Sequence, residues 1–334
     1  MTVAGGAEPL LSVRGLEVRF RGRHQVTHAV RGIDLDVSPG EVVGVVGESG
    51  SGKSASMLAV LGLLGAGADV SGSVRFEGQE LIGLPPGRMR ALRGRRIAMV
   101  FQDPMTSLNP VLTVGAQITE ALGAHADVAK AVARRRAIEL LELVSIPQAD
   151  RRLRAYPHEL SGGMRQRVMI AMAVANDPAL LIADEPTTAL DVTIQAQVLD
   201  VLATIRAEKD LAVVLITHDL GVVAGAADRV HVMYAGRVVE RGDVVDIFHR
   251  PEHPYTRRLL ACLPRLDRRG DALVPIGGSP PSLADLPSGC AFRPRCPDAF
   301  DRCVVDDPAL LPGTATDAAC HAVPARAVAV RSQR

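Results

Sequence analysis

The sequence has almost no excess of positive over negative charge. Its 38 lysine and arginine residues almost balance its 37 aspartate and glutamate residues, which leaves a formal net charge of +1. A surface without strong net charge has no long-range field to draw it to nucleic acid or to anionic lipid. The composition therefore argues against nucleic acid as a partner.

Long apolar runs are missing as well. The longest, Leu211–Ile216 and Val168–Ala175, fall far short of the ~20 residues that a helix needs to cross a bilayer. Residues Met1–Leu10 have neither the basic start nor the apolar stretch of an export signal. We therefore expect a chain that other subunits would have to anchor wherever it works at a membrane.

Cysteine is scarce and unevenly placed. All five cysteines follow Arg250, in a stretch that is also rich in proline and arginine. Without an export signal, such cysteines indicate reduced thiols or a metal site and not disulfides. The 334 residues suggest about two domains. We place the first over residues 1–250 and a small, loop-rich, cysteine-containing C-terminal domain over residues 251–334.

Short apolar strands alternate with helical patterns before Arg250, which predicts an α/β fold. Leu180–Ala183 and Leu211–Thr217 have the composition of buried strands, and Val192–Lys209 has that of an amphipathic helix. Helical spacing also runs through residues 110–156. We expect an α/β core that carries a β subdomain and an inserted helical subdomain over about residues 104–165.

A phosphate-binding loop is the strongest chemical signal. Residues 47–54 read GESGSGKS and fit the pattern G-x-x-x-x-G-K-[ST], between a predicted strand and a predicted helix. The loop backbone should cradle phosphate oxygens, with the helix dipole adding positive potential. Lys53 should reach the β- and γ-phosphates, and the Ser54 hydroxyl should hold Mg²⁺. The cradle positions are Gly47, Ser49, Gly50 and Gly52.

Two adjacent carboxylates end the predicted strand at 180–183. Asp184 is placed to support Mg²⁺, and Glu185 is the candidate base that takes a proton from the attacking water. An Asp-Glu pair by itself is also what a solvated strand end looks like. This pair, however, lies about 130 positions after a phosphate loop. The combination predicts a nucleotide hydrolase.

Residues 160–167, LSGGMRQR, closely resemble the signature of ATP-binding cassette proteins. Four further elements occur in the order of that family. They are an aromatic residue in the first strand (Phe20), a glutamine after a strand (Gln102), a linking loop (residues 189–191) and a histidine after a later strand (His218). The resemblance covers roughly residues 10–245 and implies the cassette fold and ATP hydrolysis.

The resemblance also implies roles for individual residues. Ser161, Gly162 and Gly163 would reach the γ-phosphate of ATP held by a second cassette, either an identical chain or a sibling. Gln102 would contact Mg²⁺ and the reacting water, and His218 would join it in catalysis. Phe20 would stack on adenine, although an aromatic side chain in a strand can equally pack into the core.

Residues 100–110, VFQDPMTSLNP, and the triplet His253-Pro254-Tyr255 resemble the oligopeptide and dipeptide permease branch. That branch implies an importer motor on the cytoplasmic face of the inner membrane. Its partners would be two membrane-spanning permease subunits and an extracytoplasmic substrate-binding protein. The same branch also handles nickel, glutathione and some sugars, so the cargo stays open. A soluble cassette ATPase acting on nucleic acid or ribosomes, a metal-sensing module and an exporter motor are the rival classes.

Four cysteines are spaced C-x5-C-x6-C-x16-C and can hold either Zn²⁺ or an iron–sulfur cluster. They are Cys290, Cys296, Cys303 and Cys320. The resemblance favours a [4Fe-4S] cluster over zinc or unligated thiols. The segment from Pro275 onward has little apolar periodicity, so we expect a metal to order it. Because the cassette motifs end before this tail, we expect ATP binding to survive without it.

Overall fold

The structure is a computed structural model, and it describes residues 8–22, 25–188, 190–263 and 275–323. In this part of the chain there are twelve strands: β1 (Leu11–Arg21), β2 (Val26–Val37), β3 (Val42–Val46), β4 (Ala68–Phe76), β5 (Gln79–Glu80), β6 (Ile97–Val100), β7 (Leu180–Asp184), β8 (Ala212–Thr217), β9 (Arg229–Tyr234), β10 (Arg237–Asp243), β11 (Leu311–Pro312) and β12 (Asp317–Ala318).

The described residues also form twelve α-helices: α1 (Lys53–Val60), α2 (Pro86–Leu92), α3 (Pro104–Ser107), α4 (Val114–Gly123), α5 (Lys130–Leu143), α6 (Ala149–Arg152), α7 (Gly162–Ala173), α8 (Val192–Lys209), α9 (Leu220–Ala226), α10 (Val244–His249), α11 (Pro254–Ala261) and α12 (Arg302–Val305).

The chain divides into two compact units that interleave along the sequence. The first comprises Met1–Leu10, Val37–Val42 and Gly83–Ile216, and the second comprises Leu11–Asp36, Val43–Ile82 and Thr217–Arg334. These bounds differ from the predicted division at residue 250, which stays a prediction.

A parallel sheet forms the centre of the first unit. Strand β7 pairs with β6 on one side and with β8 on the other, both in parallel. Every residue of β7 and β8 is buried, as expected for strands covered on both faces. Because parallel strands end at the same edge, the residues after β6 and β7 lie side by side. The predicted helical stretch before α7 consists of the separate helices α3 to α6.

The second unit contains an antiparallel sheet with the strand order β2-β1-β4-β5. Strand β1 alternates buried and more exposed residues over much of its length, the pattern of a sheet with one face on the core. It pairs with β4 in a register that sets Phe20 opposite Ala68.

A second group of strands in this unit carries the phosphate loop. Strand β3 is buried throughout and pairs in parallel with β9, and β9 pairs antiparallel with β10. The C-terminal segment extends the group, since β12 pairs with β10 and β11 pairs with β12. The strand that the sequence predicts before the phosphate loop is thus confirmed as β3.

Buried contacts hold the described part of the C-terminal segment against β10 and α11. The Glu240 carboxylate accepts hydrogen bonds from the backbone N–H groups of Glu252 and His253 and from the Thr316 hydroxyl. Phe292 packs on Tyr255, with ring centroids 5.3 Å apart. These contacts join positions far apart in sequence, which is why the sequence pattern did not predict them. The expectation that a metal orders the segment stays a prediction.

The His253-Pro254-Tyr255 triplet begins helix α11. Burial lowers the pKa of His253 to about 3, so its ring is neutral. A neutral Nδ1 can accept a hydrogen bond, and it accepts one from the Tyr255 N–H at 3.0 Å, which caps the helix. Pro254 occupies the first helical position, where its missing N–H costs nothing.

Local geometry explains two helix ends. Helix α1 ends at Val60, shortly before Gly62 adopts a left-handed φ of 58°. Helix α7 begins at Gly162, because the Ser161 hydroxyl caps it by accepting the Met164 N–H. Helix α8 has the predicted bounds Val192–Lys209.

Among the described residues, no helix is both long and apolar enough to cross a membrane.

Candidate nucleotide-binding site

The phosphate loop joins the buried strand β3 to helix α1, as the sequence predicts. Gly47 and Gly52 have φ angles of 154° and 99°, which side chains rarely tolerate. A Cβ atom on Gly47 would lie 2.2 Å from the carbonyl oxygen of Met233, and one on Gly52 would lie 2.5 Å from that of Ala29. Only glycine fits both positions, and the loop backbone is therefore held in one shape.

Lys53 is buried at the start of α1, with 5% of its surface exposed. Its ammonium group donates to the carbonyl oxygens of Gly47 at 2.7 Å and Glu48 at 3.0 Å. These contacts hold a positive charge against the loop, beside the exposed residues Ser49 and Gly50. Ser54 follows in the first turn of α1 and is half-buried. Charge, turn glycines and helix start fit a bound nucleotide phosphate.

Two predicted residues of the second unit lie on other elements. Phe20 is half-buried near the end of β1, so its stacking role stays a prediction. His218 is exposed directly after β8. The turn that presents it is fixed, because the Thr217 hydroxyl accepts the Asp219 N–H at 3.0 Å. Asp219 in turn caps α9 by accepting the Gly221 N–H.

In the first unit the structure brings Gln102 and Glu185 together. The Gln102 Nε2 donates to the Glu185 carboxylate at 2.8 Å, and the Thr188 hydroxyl donates to the same oxygen at 2.9 Å. Glu185 has a left-handed φ of 47°, an uncommon conformation for a non-glycine residue. Its N–H donates to the carbonyl oxygen of Ile216. Backbone and carboxylate are thus both restrained.

Asp184 is the last residue of β7 and is 6% exposed. A buried carboxylate at the end of a parallel strand is suited to bind a divalent cation. Ser54, Gln102 and Asp184 each carry a side-chain oxygen, the kind of ligand that Mg²⁺ prefers, and their shared role as its ligands stays a prediction. When bound, Mg²⁺ neutralises charge on the β- and γ-phosphate oxygens.

The signature residues lie at the N-terminus of α7. Ser161 and Gly162 are exposed, whereas Gly163 is buried. A Cβ atom on Gly163 would lie 2.2 Å from the side chain of Ile194 on α8, so a larger residue would push the two helices apart. The exposed Ser161 hydroxyl and the start of a twelve-residue helix form an anion-binding end that faces solvent in a single chain.

The four cysteines do not form the predicted metal site as they stand. Within the part of the chain that the structure describes, no group of three or more His, Cys, Asp or Glu side chains could hold a metal ion. Cys290 and Cys303 are neighbours, since the Cys290 N–H donates to the Cys303 carbonyl oxygen at 2.9 Å. Burial raises the pKa of Cys290 to about 11 and also raises the pKa of Cys296, which favours the thiol over the ligating thiolate.

Sequence reasoning missed Arg295 and Tyr255, two residues of the C-terminal segment that contact the phosphate loop. Both contact Glu48 inside the loop. The Arg295 guanidinium donates to the Glu48 carboxylate, and the Glu48 N–H donates to the Tyr255 hydroxyl at 3.0 Å. Its sequence position next to Gly47 was the only available signal, since the loop pattern accepts any residue there.

Comparison with known families agrees with this geometry. Residues 30–188 match the family described as ABC transporter, and residues 239–303 match the family described as oligopeptide/dipeptide transporter, C-terminal region. The second match overlaps β10 and α11 and contains Cys290, Cys296 and Cys303.

Curated relatives match over most of the chain. The oligopeptide transport ATP-binding protein OppD of Mycobacterium tuberculosis is 59% identical over 316 residues, covering 93% of this chain and 52% of the relative. OppD of Escherichia coli is 50% identical over 297 residues, covering 89% and 88%. The dipeptide transport ATP-binding protein DppD of Escherichia coli is 52% identical over 302 residues, covering 90% and 92%.

Solved structures share the cassette fold. The dimeric structure of the MJ0796 cassette bound to ADP and Pi has a TM-score of 0.63 at 26% identity and covers 70% of this chain and 98% of that one. CbiO1 from Clostridium perfringens, part of the ABC transporter complex cbiONQ, has a TM-score of 0.64 at 27% identity, with 73% and 92% covered.

Fold and site together define an ATP-binding cassette of the ABC transporter type. Within that class the chain belongs to the family of oligopeptide and dipeptide transport ATP-binding proteins. It spans about half the length of its mycobacterial relatives, 52% of each.

The restrained carboxylate of Glu185 generates a first prediction. Glu185→Gln keeps the side-chain shape but cannot accept a proton, so ATP turnover should fall by about 10²-fold or more while Mg-ATP binding persists. Steady-state phosphate release and equilibrium nucleotide binding measure the two effects. Glu139→Gln, which alters an exposed carboxylate on α5, is the control and should leave both unchanged. Wild-type turnover in Glu185→Gln would exclude Glu185 as the base.

Proposed function

We propose that this chain is the ATP-hydrolysing motor subunit of a binding-protein-dependent ABC importer whose cargo is di- or oligopeptides. One observation carries the proposal: a restrained phosphate loop with a buried lysine belongs to a chain with the peptide-transporter C-terminal region. Nickel, glutathione and sugars are the alternative cargoes.

Each site residue has a defined task in this proposal. Lys53 and the loop amides bind the β- and γ-phosphates and offset charge that develops on them during hydrolysis. Glu185 accepts a proton from the attacking water. The hydrogen bonds from Gln102 and Thr188 orient the carboxylate, and His218 donates to the γ-phosphate through its imidazole.

A second cassette completes the ATP site. The exposed Ser161 hydroxyl and the amides of Gly162 and Gly163 supply an anion-binding end that serves the nucleotide of the partner cassette. The dimeric form of the related MJ0796 cassette supports this arrangement. The partner is either an identical chain or a sibling subunit.

Two membrane-spanning permease subunits and an extracytoplasmic substrate-binding protein complete the proposed importer, with this chain on the cytoplasmic face of the inner membrane. Three exposed apolar residues close to Gln102 in sequence support docking to the permease subunits. Phe101, Met105 and Val111 are 43%, 63% and 75% exposed. Exposed large apolar side chains are typical of protein contact sites when they lie together.

The importer proposal predicts that a charged residue at one of these exposed apolar positions uncouples ATP hydrolysis from peptide transport. Val111→Glu should weaken co-purification with the permease subunits and abolish stimulation of the ATPase by loaded binding protein, because a charge cannot be buried there. Proteoliposomes with labelled peptide inside or outside measure transport directly. Val245→Glu, at an exposed valine on α10, is the matched control.

Two results would contradict the proposal. One is peptide accumulation driven by the isolated chain without permease subunits. The other is an assembled complex in which Val111→Glu retains full peptide-stimulated ATPase activity.

We further propose that Cys290, Cys296, Cys303 and Cys320 take up a [4Fe-4S] cluster, with one Zn²⁺ as the alternative. Since the described side chains do not group as ligands, binding requires the thiols to move together and lose their protons. All four cysteines lie on a segment of short elements and turns, where such movement is least costly.

Elemental analysis of anaerobically purified protein tests the cluster. We expect about four irons per chain, lost when any of these four cysteines is replaced by serine. Cys262→Ser is the control, because Cys262 lies outside the spaced set, at the end of α11, and it should retain the iron. One zinc without iron, or neither metal, would overturn the cluster.

A further inference from the structure

Glu48, the second residue of the phosphate loop, forms an ion pair with Arg295 of the C-terminal segment. The Arg295 guanidinium donates to both carboxylate oxygens of Glu48, at 2.6 and 2.9 Å. Only 3% of the Arg295 side chain is exposed, against 26% for Glu48. A two-point contact of this kind fixes orientation as well as distance.

Arg295 is itself held in place. It ends a short 3-10 turn between Cys290 and Cys296, and its Nε donates to the Gly277 carbonyl oxygen at 3.0 Å. Its guanidinium also lies 5.9 Å from the centre of the Tyr234 ring. The arginine side chain therefore has contacts of its own besides those with Glu48.

The backbone of Glu48 is anchored as well. Its N–H donates to the hydroxyl of Tyr255, and its carbonyl oxygen accepts from the Lys53 ammonium at 3.0 Å. Tyr255 is fully buried and packs against Tyr234, with ring centroids 4.6 Å apart. Glu48 thus connects the aromatic residues Tyr234 and Tyr255 to Lys53 of the phosphate loop.

The C-terminal segment also borders the loop at a second place. A cavity of about 240 Å³ lies between residues 48–51 and the stretch Pro280–Leu283. The loop is therefore flanked by this segment along several residues.

The charge of Glu48 explains why an ion pair with Arg295 is needed at this position. An unpaired carboxylate within a phosphate loop would repel the β- and γ-phosphates, and repulsion between like charges is strong where water is excluded. Arg295 neutralises this carboxylate and so reduces its repulsion of the phosphates. Removing the arginine would leave the carboxylate partly buried and unpaired, which is costly.

We propose that Arg295 is a positioning residue that holds and neutralises Glu48, so that the cysteine-bearing C-terminal segment sets the affinity of the phosphate loop for Mg-ATP. This proposal rests on the proposed nucleotide-binding function. It replaces the expectation that ATP binding is independent of the C-terminal segment.

The test uses the full chain and Mg-ATP as the probe. Arg295→Ala should raise the Kd for Mg-ATP about tenfold or more and should speed hydrogen exchange of the amides at residues 47–54. The double variant Arg295→Ala with Glu48→Gln should recover most of the affinity, because no unpaired charge remains. A purely structural role would not give this rescue. In turnover assays Arg295→Ala should raise KM and leave kcat nearly unchanged.

Two further variants sharpen the test. Arg295→Lys keeps the charge but offers a single-point contact, so its affinity and exchange rate should lie between those of wild type and Arg295→Ala. It also provides the comparison if the alanine variant does not fold. Arg257→Ala removes another ion pair to the same segment, with Asp298, and should change neither quantity.

The outcomes separate this proposal from the proposed function. Wild-type affinity and exchange in Arg295→Ala or Arg295→Lys, or a double variant no better than the single one, would overturn the positioning role. If the wild-type chain does not bind Mg-ATP, the nucleotide function fails, while the exchange rates at residues 47–54 still decide whether Arg295 positions the loop.

Discussion

The candidate site depends on the backbone conformation of one short loop, residues 47–54, whose N–H groups bind phosphate. Residues 47–54 must present their N–H groups to an anion, and a loop that relaxed would lose this geometry. Two glycines whose neighbours leave no room for a side chain fix the turn. The Lys53 ammonium, bound to two loop carbonyls, closes it. Strand β3 behind the loop and helix α1 after it supply the rigid ends.

Charge balance is the second condition on this loop. Glu48 adds a negative charge where the ligand is also negative, and Arg295 compensates it from a segment far along the chain. This contact is one of those that join the C-terminal region to the phosphate loop within the second unit. It also places two of the four cysteines beside a phosphate-loop contact, since Cys290 and Cys296 flank the turn that carries Arg295.

Sequence patterns predicted the local features well because their causes are local. The phosphate loop is a continuous stretch between a strand and a helix, and α8 follows from its own periodicity. The pairing of Gln102 with Glu185 was accessible too, since adjacent parallel strands end at the same edge. By contrast, Glu48 and Arg295 are 247 positions apart, and no periodicity connects them. The buried contacts of the C-terminal segment were missed for the same reason, because they reach back to β10 and α11.

The central claim is tested most directly by measuring phosphate release from the chain together with the proposed permease subunits after Lys53 has been replaced. Lys53→Ala deletes the positive charge held against the phosphate loop, and we expect turnover to fall by about 10²–10³-fold. Lys130→Ala, at the start of α5, controls for loss of a lysine elsewhere and should leave turnover unchanged. Near-normal turnover in Lys53→Ala would contradict the assignment of residues 47–54 as the catalytic phosphate site.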